Sequence, residues 1–427
     1  MGERLTRELM ALRVAKELRS GWVVNLGVGM PTTVADYVPP ERGVIFHAEN
    51  GVIGYGPYPK PEAIDPELVN ASGEYVTLVP GSSFAHQSDA FGVIRAGYLD
   101  AAVLGGLQVS EKGDLANWLV PERGIGSPGG GVDIAKGAGI LIIMMEHTTK
   151  DGQPKVVRHC TYPLTGSRCV KLVITDLAVI AVTRAGLVLK EVAPGWTAGE
   201  VQALTGPRLR ISPRLKEMDF TQPRPRAVNK LCKSFAEAVS DIPDGAVILI
   251  DGFGGPGGMS HYLLMALRDQ GARNLTIVGN TAGIASAVGF GTPPGMRAID
   301  HTILVENKQV KKAIASFPVS PSPSRPTAFE LAYRRGEVEL ELVPQGTLAE
   351  RIRAGGMGVG AFFTPTGAGT PIAEGKETRV IDGREYVLEY GILADYALIR
   401  AQKADRLGNL TYKGTSRNFN AVMAPAA

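Results

Sequence analysis

Val23-Val24-Asn25-Leu26-Gly27-Val28-Gly29-Met30-Pro31 is a short, almost wholly apolar run that breaks into a glycine-rich turn. Val247-Ile248-Leu249-Ile250-Asp251-Gly252-Phe253-Gly254-Gly255-Pro256-Gly257-Gly258 repeats the arrangement in the second half of the chain. A run that is apolar at nearly every position lacks the alternation of a half-buried strand and fits a strand covered on both faces, as in a parallel sheet flanked by helices. Further runs of this kind lie at 76–79, 101–104, 140–145, 172–175, 275–278 and 303–305. Between them, residues 5–18, 261–267 and 347–352 carry apolar side chains at helical spacing. Strand and helix in alternation give the expected fold class: α/β, as two related open α/β domains with mostly parallel sheets covered by helices.

Two segments read as antiparallel. Residues 177–183 and 187–192 flank Arg184-Ala185-Gly186 as a hairpin, and Thr197-x-x-Glu200 after it is a capping box that starts a helix. Residues 397–401 and 410–412 form a weaker second hairpin pattern. The stretch 211–226, with three prolines, several basic residues and little apolar periodicity, reads as a solvated connector, neither strand nor helix. It places one domain at residues 1–217 and a second at 218–427.

A chain of 427 residues has ample length for two cores, and a formal charge of +3 gives no excess for a polyanion, so no nucleic-acid partner is expected. The three cysteines, Cys160, Cys169 and Cys232, include no C-x-x-C pair and leave one odd, which suggests neither a disulfide framework nor a zinc site; they read as buried apolar positions. No apolar run approaches the ~18 residues of a membrane span, and the first twenty residues are too charged for a signal sequence, so a cytoplasmic protein with no membrane partner is expected.

His47-Ala48-Glu49-Asn50-Gly51-Val52-Ile53-Gly54 carries the clearest chemistry. A carboxylate followed by Asn-Gly leaves an apolar strand at a turn, where it either faces a cleft or is simply solvated. Downstream stand Gly113-Asp114-Leu115-Ala116-Asn117-Trp118 and Gly129-Gly130-Gly131-Val132-Asp133. Then come Gly279-Asn280-Thr281-Ala282-Gly283, Pro344-Gln345-Gly346-Thr347 and Arg417-Asn418-Phe419-Asn420. In this order the motifs resemble the class I coenzyme A transferases of the 3-oxoacid type. The first half is similar to the family's B subunit, with Phe46 to Gly54 matching its Glu-Asn-Gly signature and Ala48 where Ser is usual. The second half is similar to the A subunit.

The resemblance implies that Glu49 attacks an acyl-CoA thioester and becomes in turn an acyl anhydride and a glutamyl-CoA thioester, in ping-pong fashion. It implies Asn280 and the Gly130 N–H as oxyanion donors, and Gln345, Gly252, Phe253, Gly254 and Gly257 as substrate-binding residues. Pro344-Gln345-Gly346-Thr347 also reads as a helix entry, so Gln345 has two readings. The implied donor is succinyl-CoA or acetyl-CoA and the implied acceptor a 3-oxoacid such as acetoacetate, as in ketone-body metabolism. 3-Oxoadipate as acceptor, or a non-catalytic CoA-binding protein, are the alternatives. Acyl-CoA and small carboxylic acids are the partners implied, a homo-oligomer the assembly, and no metal or resident cofactor is needed because the CoA thioesters are substrates.

Residues 252–257 also satisfy G-x-G-x-x-G, but Asp269 falls on the helix side, where a ribose-binding acid ending a second strand is required, so no dinucleotide is expected. His86-Gln87-Ser88-Asp89 reads as a turn and helix start, not a triad. His47 reads as structural. Against the family pattern, Asp251 replaces a usual Gly, Met259 a usual Pro, and the B-like half precedes the A-like half. The sequence ends at Ala427, where relatives continue into a short acidic β segment, so an uncovered sheet edge is expected in the second domain.

Overall fold

Ala102, Leu104, Leu141 and Ile143 pack into one hydrophobic core, and their chain neighbours Ala101, Val103, Ile142 and Met144 pack into another. Side chains alternate between the faces of a strand, so both faces of this sheet are covered, and that is why the runs are apolar at every position. The same alternation recurs downstream, with Ile248, Ile250, Ile277 and Ala313 in one core and Leu249, Val278 and Ile314 in another. A computed structural model of the chain describes residues 2–226, 228–250, 252–253, 258–285 and 298–427, which divide by contacts into two units, residues 1–228 and 229–427.

The first unit holds a ten-stranded sheet. Its centre is parallel, in the order Val170–Ile174, Ile140–Met144, Ala101–Leu104, Val23–Leu26, Ile45–His47. On one side the hairpin Ala178–Thr183 and Gly186–Val192 adds two antiparallel strands, followed by Arg210–Glu217. On the other, Val52–Tyr55 and Leu78–Phe84 are antiparallel. The helix Arg7–Ala15 covers one face with Met10, Ala11 and Val14, while the helices Gln87–Arg95 and Gly131–Gly137 cover the other with Ile94, Ile134 and Ala135. The second unit holds a five-stranded parallel sheet in the order Glu339–Leu342, Val310–Phe317, Leu275–Thr281, Val247–Ile250, Tyr396–Leu398. Among the described residues no helix is long and apolar enough to cross a membrane.

The capping box at Thr197 forms as expected, with the Thr197 side chain and Glu200 satisfying each other's backbone N–H groups at the start of Ala198–Ala203. Five expectations are corrected. The run 303–305 is not a strand but lies in the helix Thr302–Glu306, because the Asp300 carboxylate accepts from Thr302 N at 2.9 Å and Ile284 N at 2.7 Å, ordering a helical turn. A short buried aliphatic run has no periodicity to tell the two apart. The run 76–79 is not a buried central strand, since the strand begins at Leu78 and continues through Pro80 to Phe84 as an exposed sheet edge, where a proline removes no ladder bond.

Within 211–226 the segment Arg210–Glu217 is an edge strand, not connector. Its pairing with Gly186–Val192 is irregular between Leu189 and Glu191, opposite the stretch that contains Pro213. Residues 397–401 do not pair with 410–412. Tyr396–Leu398 lies parallel to Ile248–Ile250, and Leu410–Thr411 pairs with Lys403–Ala404 around a turn in which Asp405 accepts from the Leu407 and Asn409 amides. Cys232 is exposed, whereas Cys160 and Cys169 are half-buried.

Candidate active site

The strand Ile45–His47 ends at the C-terminal edge of the parallel strands, and the chain reverses through residues 48–51 into Val52–Tyr55. The turn is closed by Gly51 N donating to Ala48 O (3.0 Å) and Ala48 N donating to Val52 O (2.9 Å). Gly51 has φ +104°, and a Cβ there would press on the Ala85 carbonyl, 3.3 Å from its carbon, so the Asn-Gly step is fixed by backbone geometry. Asn50 ties the turn outward, donating from Nδ2 to Val69 O at 2.8 Å.

His47 is fully buried, with Nε2 3.1 Å from Ala90 O and Nδ1 3.2 Å from Asn25 Nδ2. A carbonyl accepts and an amide N–H₂ donates, so the ring is the neutral Nε2–H tautomer, and burial lowers its pKa. His47 holds strand to helix and has no lone pair left for chemistry. Glu49 is the side chain of the turn that lines a cleft of about 470 Å³, with Gly27, Val28, Gly105, Asn117 and Gly130.

Gly130 stands at the N-cap of Gly131–Gly137, where N–H groups have no intrahelical partner. A Cβ on it would lie 3.0 Å from Glu49 Cδ and 3.0 Å from Phe91 Cζ and would run into the carboxylate itself. Only a glycine lets the Glu49 carboxylate rest against this backbone. Asn117 braces the lining beside Gly131. Its Nδ2 donates to Gly105 O (3.1 Å), its Oδ1 accepts from Thr165 Oγ1 (2.6 Å), and its backbone N donates to the same hydroxyl (3.0 Å).

In the second unit, Gly252, Asn280 and Gln345 follow or end three of the parallel strands at their C-terminal edge, the edge at which open α/β sheets bind ligands. Asn280 is buried, and its Oδ1 has no hydrogen-bond partner among the described residues. Gly252 has φ +97°, and a Cβ there would meet the Met259 side chain at 3.1 Å. Phe253 is half-exposed, and Gln345, also exposed, opens the helix Gln345–Gly356. Gly254 and Gly257 lie outside the described residues. Asn420, last of the Arg417-Asn418-Phe419-Asn420 motif, is fully buried; it donates to Gly258 O (3.2 Å) and Ser416 O (2.8 Å) and accepts from Arg400 N (2.8 Å). The motif therefore anchors the end of the glycine loop.

Residues 7–203 and 232–427 match the family model described as Coenzyme A transferase. The chain belongs to the coenzyme A transferase family. It is 47% identical over 205 residues, 48% of this chain and 96% of the other, to the B subunit of the 3-oxoadipate CoA-transferase of Pseudomonas putida. It is 44% identical over 199 residues, 47% of this chain and 96% of the other, to the B subunit of the succinyl-CoA:3-ketoacid coenzyme A transferase of Helicobacter pylori. An acyl-CoA transferase apoenzyme from Escherichia coli O157:H7 aligns over 52% of this chain and 44% of its own, with 25% identity and a TM-score of 0.42. In this transferase a B-like half precedes an A-like half.

Sequence reading of this transferase did not single out Phe91 or Thr165. Phe91 sits mid-helix with nothing local to mark it, whereas Asn117 stood inside the Gly113–Trp118 motif and its bond to Thr165 spans 48 residues. Desolvation first, and then the charge of Asp133, raises the pKa of Glu49. A raised carboxylate pKa means that protonation sets in at higher pH than for a free glutamate, and a protonated carboxyl is a poor nucleophile. The acid limb of kcat/KM should therefore titrate above the ordinary carboxylate range, and Asp133→Asn should move it down. A pH–rate profile of both proteins checks this, and an unmoved limb in the variant excludes Asp133 as a cause.

Proposed function

We propose that the protein transfers coenzyme A from an acyl-CoA donor, such as succinyl-CoA or acetyl-CoA, to a 3-oxoacid such as acetoacetate, through a glutamyl-CoA thioester on Glu49. The observation that carries this reading is a carboxylate held by a rigid turn against a glycine backbone inside a cleft. The Glu49 carboxylate oxygen adds to the thioester carbonyl, CoA thiolate leaves, and an acyl-glutamyl anhydride forms. The thiolate then adds to the glutamyl carbonyl, expelling the donor acid and leaving glutamyl-CoA. The acceptor carboxylate repeats the two steps in reverse and regenerates Glu49. No proton or electron is gained or lost.

A carboxylate is a weak nucleophile, so positioning and stabilisation of the oxyanion must supply much of the rate. The Gly130 N–H is assigned to that task, and Asn280 is likewise assigned as an oxyanion donor. Gly252, Phe253 and Gln345 are assigned to substrate recognition, together with Gly254 and Gly257.

The described residues lining the Glu49 cleft include no Lys, Arg or His. An acyl group bearing a second carboxylate finds no counter-charge there, which favours acetyl-CoA over succinyl-CoA as donor and acetoacetate over 3-oxoadipate as acceptor. A second reading, 3-oxoadipate as acceptor, is favoured by the 47% identity to the B subunit of a 3-oxoadipate CoA-transferase. The test is an acceptor panel: acetoacetate and 3-oxoadipate offered against succinyl-CoA and acetyl-CoA, following which new thioester forms. Ping-pong transfer requires parallel double-reciprocal lines and exchange of labelled donor acid into donor acyl-CoA without acceptor. Intersecting lines with no exchange would exclude the covalent route.

A further inference from the structure

A second cleft, of about 240 Å³, opens in the first unit beside the segment Met30–Tyr37. Its lining is acidic and aromatic. Tyr55 lines it, 1% exposed, and the Tyr55 hydroxyl is buried with no hydrogen-bond partner. The rings of Tyr58 and Tyr75 stand on its wall, their centroids 6.3 Å apart at 61°. Asp36 and Glu74 supply two exposed carboxylates. Among the described residues the lining includes no Lys, Arg or His, and neither carboxylate is in an ion pair. After burial, Glu74 and Asp36 are the groups that raise the Tyr55 pKa, so both charges bear on the buried phenol.

A buried hydroxyl without a partner marks a missing ligand group. Aromatic faces beside carboxylates attract a positive charge, and a tyrosine oxygen accepts a hydrogen bond from it. Only two carboxylates are present, and among the described residues no group of three or more His, Cys, Asp or Glu is placed to hold a metal ion. We propose that this cleft binds a small primary ammonium, with its N–H groups toward Tyr55, Glu74 and Asp36 and its alkyl stem between Tyr58 and Tyr75. The volume suits a short alkyl chain.

The site adjoins the Glu49 cleft through one turn. Asn70 Oδ1 accepts from Ser72 N (2.8 Å) and Glu74 N (3.1 Å), and Ser72 Oγ accepts from Gly29 N (3.1 Å). Ala71 of the same turn lines the Glu49 cleft, while Glu74 and Tyr75 line this one. An ammonium held by Glu74 therefore steadies a wall of the neighbouring cleft, which makes the ligand an effector rather than a substrate.

Titration calorimetry of the whole protein with n-butylammonium, using 1-butanol as the neutral isostere, tests the site without reference to turnover. The expected result is saturable binding of the ammonium, one per chain, and none of the alcohol. Glu74→Gln should weaken it about tenfold or more, as loss of a charged hydrogen bond does. Tyr55→Phe should weaken binding with an unchanged melting temperature, because the hydroxyl it removes has no partner in the free protein. No saturable binding by the folded protein, equal binding of the alcohol, or unchanged affinity in Glu74→Gln and Asp36→Asn would each overturn the proposal. A fall in oligomeric mass in Glu74→Gln would also overturn it, by showing a side chain of a second copy in the cleft.

Discussion

Incubated with an acyl-CoA and no acceptor, the protein should gain the mass of a CoA adduct at Glu49 alone, and borohydride should reduce that thioester and fix the label in its peptide. Glu49→Ala should lose both labelling and turnover. Glu49→Asp should be nearly as poor, since shortening the side chain by about 1.5 Å breaks an attack geometry in which ~1 Å costs about 10²-fold. Glu49→Gln separates chemistry from folding. Burial and Asp133 raise the Glu49 pKa, so the ionised form is disfavoured in the folded state relative to the unfolded chain. Above its folded pKa this residue therefore subtracts from stability, and below the unfolded pKa the penalty is absent. At neutral pH Glu49→Gln should be inactive yet melt no lower than wild type. Labelling at another glutamate, or turnover in Glu49→Ala, would remove the assignment.

The parts of the fold legible in the sequence are those where one chemical pattern has one structural solution. Runs such as Ala101–Leu104 and Val247–Ile250, apolar at each position and each leading into a glycine-containing turn, read as strands covered on both faces, and they are. Thr197 and Glu200 cap each other as their spacing requires. Reading fails where the deciding partner is remote or the pattern is degenerate. Residues 303–305 are as aliphatic as any strand, and what makes them helical is the Asp300 carboxylate just upstream. Arg210–Glu217 looks like a polar linker because an edge strand buries little, and its Pro213 is tolerated only because that edge is irregular.

The site divides in the same way. Glu49 and Gly51 are legible because the turn is local, with the φ of +104° at Gly51 demanding a glycine directly after Asn50. Gly130 was legible as part of a motif, but the reason it must be glycine was not, since that reason is the carboxylate of a residue far away in sequence. The clasp of Asn117 with Thr165 and the orphaned hydroxyl of Tyr55 are likewise products of packing between distant segments.

Gly130→Ala should cut the rate of CoA labelling and of turnover by about 10²-fold or more, and a comparison with Gly129→Ala shows why. Gly130 has φ −81° and ψ −2°, a conformation open to any residue, so alanine there brings no backbone strain. What it brings is a methyl group pressed between the Glu49 carboxylate and Phe91 Cζ. With Phe91 closing one side, relief comes only by swinging the carboxylate away or moving the loop back. Either response separates Glu49 from the Gly130 N–H, the distance on which attack and oxyanion stabilisation would both depend in the proposed reaction. Gly129 is the converse case. Its φ is +47°, and a Cβ there would meet nothing within 4 Å, so alanine costs about 1–2 kcal/mol of left-handed backbone strain and leaves the carboxylate untouched. Gly129→Ala should therefore lower the melting temperature with a modest loss of labelling, and Gly130→Ala should do the reverse. Measuring both quantities in both variants decides the matter, because labelling that survives in Gly130→Ala and fails in Gly129→Ala would mean that the contact between carboxylate and glycine has no part in the chemistry.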